Sequence, residues 1–146
     1  MTVIHRLTND IPVIIENLPG ARSITFGVYV GSGSQNETIE NNGVAHAIEH
    51  MLFKGTNKYS AGQLADIMTE LGGGINAYTS KENTVFYGKV LPEDFERALS
   101  IMSDMLFNSL FDSKEFSKEK CVIIDEIDSY DDSAEDMCHE LLQKRV

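Results

Sequence analysis

An α+β fold, with a mostly antiparallel sheet packed against helices, is predicted by three observations on this 146-residue chain. Short runs rich in β-branched and aromatic residues occur early and again in the middle. The remaining segments repeat apolar residues at helical spacing, and glycine clusters or capping residues separate the two kinds. Connections are short, with no linker, repeat or low-complexity stretch, so residues 1–146 read as a single domain.

Val3-Ile4 and Val13-Ile14-Ile15 flank the turn-prone Asn9-Asp10 and read as strands, as does Ile24 to Val30, which stops at the loop Gly31-Ser32-Gly33-Ser34. These strands and a later hairpin are expected to share one sheet. From Gly43 to Phe53, Val44, Ala45, Ile48, Met51 and Leu52 predict a buried helix that Asn41 or Asn42 can cap. A second helix opens at the capping box of Ser60 and Gln63 and ends at Gly72-Gly73-Gly74. Ile75 to Thr79 and Thr84 to Val90 then form the hairpin, joined through Ser80 to Asn83. Beyond Pro92, one apolar stripe is predicted from Phe95, Ala98, Leu99, Met102, Met105 and Leu106. Asp112 and Glu115 cap a helix carrying Phe116, Val122, Ile123 and Ile127, and Ser133 opens a last helix from Ala134 to the end.

Twelve basic against 23 acidic residues leave a formal charge of −11. Such a chain repels phosphates and anionic lipid, which speaks against nucleic acid and membrane partners and favours a basic one. Two cysteines, Cys121 and Cys138, are too few for a disulfide scaffold and read as packing residues. Without a signal-peptide pattern or a membrane-length apolar run, the expected location is the cytoplasm.

The chemistry-bearing signal is His46-Ala47-Ile48-Glu49-His50. On a helix of 3.6 residues per turn these three polar side chains fall on one side, so two imidazoles and a carboxylate converge. Neutral imidazoles ligate Zn²⁺, and a nearby carboxylate that stays off the metal can take a proton from water. This order is the inverzincin signature, the reverse of H-E-x-x-H. The alternative is a surface turn with two ordinary histidines, but the apolar neighbours make unpartnered burial costly, by several kcal/mol. His5 and His139 read as structural or exposed.

His46-Ala-Ile-Glu-His50-Met-Leu-Phe-Lys-Gly-Thr56 resembles the pitrilysin and mitochondrial processing peptidase family of zinc metallopeptidases. Further landmarks follow in the right order: Gly31 to Ser34 with Glu37, Leu71-Gly-Gly-Gly-Ile-Asn-Ala-Tyr-Thr-Ser80, and Glu119-Lys-Cys-Val-Ile-Ile-Asp-Glu-Ile127. The resemblance implies one Zn²⁺ per chain held by His46, His50 and Glu126, with Glu49 as general base. Asp125, one residue earlier on a helix, points elsewhere. Glu119 matches a glutamate that assists the site, for which orienting a ligating histidine is the physical role. On spacing alone a surface acid is the competing reading, and the less favoured one.

Asn76, Ala77 and Tyr78 match the family strand on whose edge an extended peptide adds, although the residues themselves show only a hairpin strand. The activity implied is endopeptidase hydrolysis of extended or presequence-like peptides. Family members are far longer, and this chain stops at Gln143-Lys-Arg-Val146 within a helical segment. A chain truncated at its C-terminus is therefore implied, one that needs its missing region, a second homologous half or an oligomer partner. The alternative function is a non-catalytic zinc- and peptide-binding fragment or subunit.

Overall fold

The computed structural model describes residues 2–72 and 74–143. Gly73 of the expected glycine turn, and residues 144–146 of the expected last helix, lie outside the described residues.

Alternation of inward and outward side chains builds the central sheet. Strand β3 (Ile24–Val30) turns Ile24, Phe26 and Val28 toward the helices. The hairpin of β4 (Ile75–Thr79) and β5 (Thr84–Val90) lies antiparallel beside it in the order β3-β5-β4. Val85, Phe86 and Val90 of β5 are buried, as expected of the middle strand. Gly88 is needed there because a Cβ would stand 2.8 Å from the Phe26 ring. The first two strands, β1 (Thr2–Arg6) and β2 (Pro12–Glu16), pair only with each other in the described structure, so the expected single sheet is two. Their apolar residues Ile4 and Ile14 are exposed.

Helix α2 (Ala61–Glu70) begins at the predicted capping box: the Gln63 N–H donates to Ser60 Oγ, and the Ser60 N–H to Gln63 Oε1. It buries Leu64 against α3 (Phe95–Asn108), whose inner stripe is Ala98, Ile101, Met102 and Met105. This i, i+3, i+4, i+7 set turns Ile101 inward and leaves Leu99 half outside, a rotation of the predicted stripe.

Helix α1 (Val44–Leu52) buries only Met51 and Leu52, with Val44 and Ile48 more than two-fifths exposed, so it is half-buried rather than enclosed. Neither Asn41 nor Asn42 caps it. The N-cap is Gly43 at φ +88°, a left-handed position that suits glycine, and the capping groups come from Glu37. Asn41 instead accepts from the Thr38 N–H in the preceding turn.

Helix α4 (Ser113–Asp131) is capped by Asp112, which accepts from the Lys114 and Glu115 N–H groups; Glu115 itself pairs with Lys118. Phe116, Val122 and Ile127 are exposed, and the residue that α4 buries is the acid Glu119. Helix α5 (Ala134–Gln143) follows. Cys121 and Cys138 are exposed free thiols, not packing residues. Among the described residues, no helix is long and apolar enough to cross a membrane.

Candidate metal centre

Helix α1 packs against β4 on one side and α4 on the other, so its polar face meets both elements. His46 and His50, one turn apart, bring their Nε2 atoms to 3.1 Å with the rings nearly perpendicular. Glu126 reaches them from α4: its Oε2 is 3.6 Å from His46 Nε2 and 3.4 Å from His50 Nε2. Asp125 is absent from this donor set.

These separations fit a single ion. Donors about 2.0–2.1 Å from one zinc at tetrahedral angles stand about 3.3 Å apart, which is the triangle found here. The proton arrangement agrees. His50 Nδ1 lies 3.1 Å from Glu119 Oε2, a bond in which the ring, its tautomer assigned from this contact, donates. The Nε2 lone pair is thereby turned toward Glu126. In a neutral ring so protonated, that nitrogen and the carboxylate oxygen 3.4 Å away repel unless a cation lies between them. Two imidazoles with one carboxylate suit zinc, and three protein donors leave a position open.

Glu119 is 6% exposed. Burial acts to raise its carboxyl pKa, but hydrogen bonds and charge from Lys54 and His50 together outweigh burial and hold it below the ordinary value. Lys54 Nζ stands 2.7 Å from Glu119 Oε1. Sequence reasoning overlooked this lysine, which lies just past the C-terminal end of α1, two residues beyond Leu52.

Glu49 shares an open cavity of about 360 Å³ with His46, His50, Phe53, Lys54, Asn76 and Glu126. Its Oε2 accepts a 2.6 Å hydrogen bond from the Thr79 hydroxyl at the end of β4. Thr79 was also unassigned by the sequence reading; strand alternation puts it on the inner face with Ile75 and Ala77. Along β4, Asn76 and Tyr78 are exposed, whereas Ala77 turns its methyl onto the core. Among the described strands, β4 pairs only with β5, leaving its outer edge open. His5 on β1 and His139 on α5 are exposed and take no part in the donor cluster.

The loop before α1 is seated on the β4–β5 turn. The Ser34 N–H donates to the Ser80 carbonyl and the Gln35 N–H to that of Lys81. Gly33 allows this approach, since a Cβ would lie 2.3 Å from Ser80 O and 2.7 Å from Lys81 O.

Comparisons with known proteins give the chain its relatives. The family described as insulinase, peptidase family M16, matches residues 12–146. The uncharacterized zinc protease YmxG of Bacillus subtilis (strain 168) is 46% identical over 136 residues, which are 93% of this chain and 33% of that protein. The beta subunit of mitochondrial-processing peptidase from Saccharomyces cerevisiae is 40% identical over 143 residues, 95% of this chain and 31% of the subunit. The crystal structure of a protease from Helicobacter pylori superposes with a TM-score of 0.86 at 27% identity, covering 94% of this chain and 33% of that one. The chain thus spans about a third of the length of the curated relatives it matches.

Proposed function

Since the chain belongs to the insulinase family of peptidases, family M16, we propose that it carries the zinc-binding portion of an endopeptidase site for extended or presequence-like peptides. The observation that carries this reading is the triangle of His46, His50 and Glu126 donors with Glu49 beside it.

One zinc per chain, held by these three residues, would supply the Lewis acidity that activates water and polarises a peptide carbonyl. Glu49 takes the proton from the attacking water and returns it to the leaving amine. Thr79 holds Glu49 Oε2, leaving the second oxygen free to meet the water. Glu119 keeps the proton of His50 on Nδ1, so that Nε2 presents its lone pair. Substrate lies along the open edge of β4, whose backbone bonds a strand of any sequence; Asn76 and Tyr78 add side-chain contacts and Ala77 contributes backbone. The acidic surface attracts basic peptides. The free thiols of Cys121 and Cys138 fit the cytoplasmic location we assign.

A second reading has its own support. The chain spans about a third of its relatives, and the cavity is open to solvent. On that reading these residues bind zinc and peptide, while hydrolysis requires further polypeptide: a C-terminal region, a second homologous half or a partner chain.

Zinc titration of the chelator-treated protein tests the donor set. About one equivalent is expected. Glu126→Gln should weaken binding by at least the roughly 10–100-fold that loss of an outer partner costs, while Asp125→Asn leaves it unchanged. Equal effects of the two would refute the assignment. In a quenched-fluorescence peptide assay, Glu49→Gln should lower kcat by about 10²–10⁴-fold, and undiminished cleavage would remove Glu49 as the base. Zinc binding without cleavage, until the remaining polypeptide is added, selects the second reading.

A further inference from the structure

Lys54 stands in the cavity wall, yet nothing in the reaction described above uses it. It lies four residues after His50, just past the end of α1, and both side chains reach the same carboxylate on α4. Glu119 Oε1 meets Lys54 Nζ at 2.7 Å and Oε2 meets His50 Nδ1 at 3.1 Å, so each oxygen has one partner. The carboxylate is thereby fixed in rotation as well as in place. Glu119 is also the residue that α4 buries, and Glu126 follows it two turns later on the same side. One clamp therefore governs two donors: the ring orientation of His50 and the register of α4 that delivers Glu126.

We propose that Lys54 is a positioning residue of the metal centre, acting through Glu119 to hold His50 and Glu126 in ligating geometry. The inference rests on the zinc reading of the site. It makes a prediction opposite in sign to simple electrostatics. A cation in the wall of a metal cavity repels the metal, so removing it should tighten binding if charge alone mattered. If Lys54 acts as a clamp, removing it loosens binding.

The experiment measures Zn²⁺ affinity by competition with a chromogenic chelator for the wild type, Lys54→Met, Lys54→Arg, Glu119→Gln and the Lys54→Met/Glu119→Gln double variant. Lys54→Met should weaken affinity about 10-fold, at the lower end for loss of an outer partner. Lys54→Arg, which keeps a donor for Oε1, should restore it to within about threefold of wild type. In the Glu119→Gln background the Met change should cost less than about twofold, because the path through Glu119 is already gone. Lys54→Gln, judged against Lys54→Arg, replaces the Met variant should that one not fold. Unchanged or tighter binding by Lys54→Met, or an equal loss in both backgrounds, would overturn the proposal while leaving the zinc reading intact. A wild-type chain that takes up no zinc would sink both.

Discussion

Replacing Glu37 by alanine should destabilise the protein and do so at the turn that bears His46. The two carboxylate oxygens of Glu37 each accept one bond at the start of α1, from the N–H of Gly43 at 2.7 Å and of Ala45 at 2.7 Å. Gly43 has no side chain to cap with, so these amides have no substitute acceptor nearby except water. A hydrogen bond to a charged group contributes about 1.5–3 kcal/mol when sheltered, and a negative charge at a helix N-terminus about 0.3–1 kcal/mol when exposed. Glu37 is half-buried, so the low end applies, and measured cap losses of about 0.5–2 kcal/mol set a similar scale. About 2 kcal/mol is therefore expected for Glu37→Ala, and about half of that for Glu37→Gln, which keeps one carbonyl acceptor. Urea unfolding followed by circular dichroism reads this directly: with an m-value of about 2 kcal/mol/M, the midpoint should fall by about 1 M at constant m. A fall under about 0.2 M, or a glutamine variant as damaged as alanine, would refute this account of the helix start.

Three further outcomes follow from single contacts. Thr79→Val, which removes the 2.6 Å hydroxyl bond to Glu49, should lower kcat for peptide hydrolysis about 10-fold in whichever assembly is active, and Thr79→Ser should restore it; a valine variant at full rate would dismiss the contact. Gly33→Ala should cost about 1–3 kcal/mol in thermal or urea unfolding, since the new Cβ meets two backbone carbonyls that cannot rotate away. Asp104, buried on α3, has its carboxyl held below the usual range by the Thr56 hydroxyl, against opposing burial, with Asn108 and Lys58 adding to the same effect. A depressed folded pKa means stability that is present above the ordinary value and lost as pH falls through the folded one. Asp104→Asn should thus cost about 1–3 kcal/mol at pH 7, and the gap to wild type should narrow below about pH 4 in unfolding measurements at the two pH values.

The donor cluster could be read from the sequence to the extent that it lies within one helix. His46, Glu49 and His50 converge because 3.6-residue periodicity is a local property. Glu126 was reachable only by resemblance, for no local rule says which distant helix returns to the motif. The stripe on α3 was legible in kind but rotated in detail, because packing against Leu64 and the sheet favoured Ile101 over Leu99. The Asn41 and Asn42 caps failed for a related reason. A cap six residues away in sequence, through a carboxylate on a preceding loop, competes with local capping in a way that composition does not reveal. The separation of β1–β2 from the larger sheet was likewise invisible, since strand propensity is silent on which edge a strand joins.

Helix α1 is fastened to its surroundings by polar groups in single copies as well as by the burial of Met51 and Leu52. Glu37 holds its start, Thr79 meets Glu49 in its middle, and Glu119 meets His50 at its end. Its apolar burial is confined to Met51 and Leu52. The hydrophobic driving force is non-directional, so by itself it does little against small shifts of a helix, which close packing has to resist. Hydrogen bonds to charged groups are directional and short, so they resist such shifts. An ion needs its donors within about 0.2 Å of fixed distances, and a helix held this way supplies that tolerance without a large core beneath it. Phe116, Val122 and Ile127 on α4 are exposed as well, so the contacts of Glu119 with His50 and Lys54 are directional ties between α4 and the end of α1; if they hold the donors as proposed, the geometry of the triangle and the register of the two helices have a common physical origin.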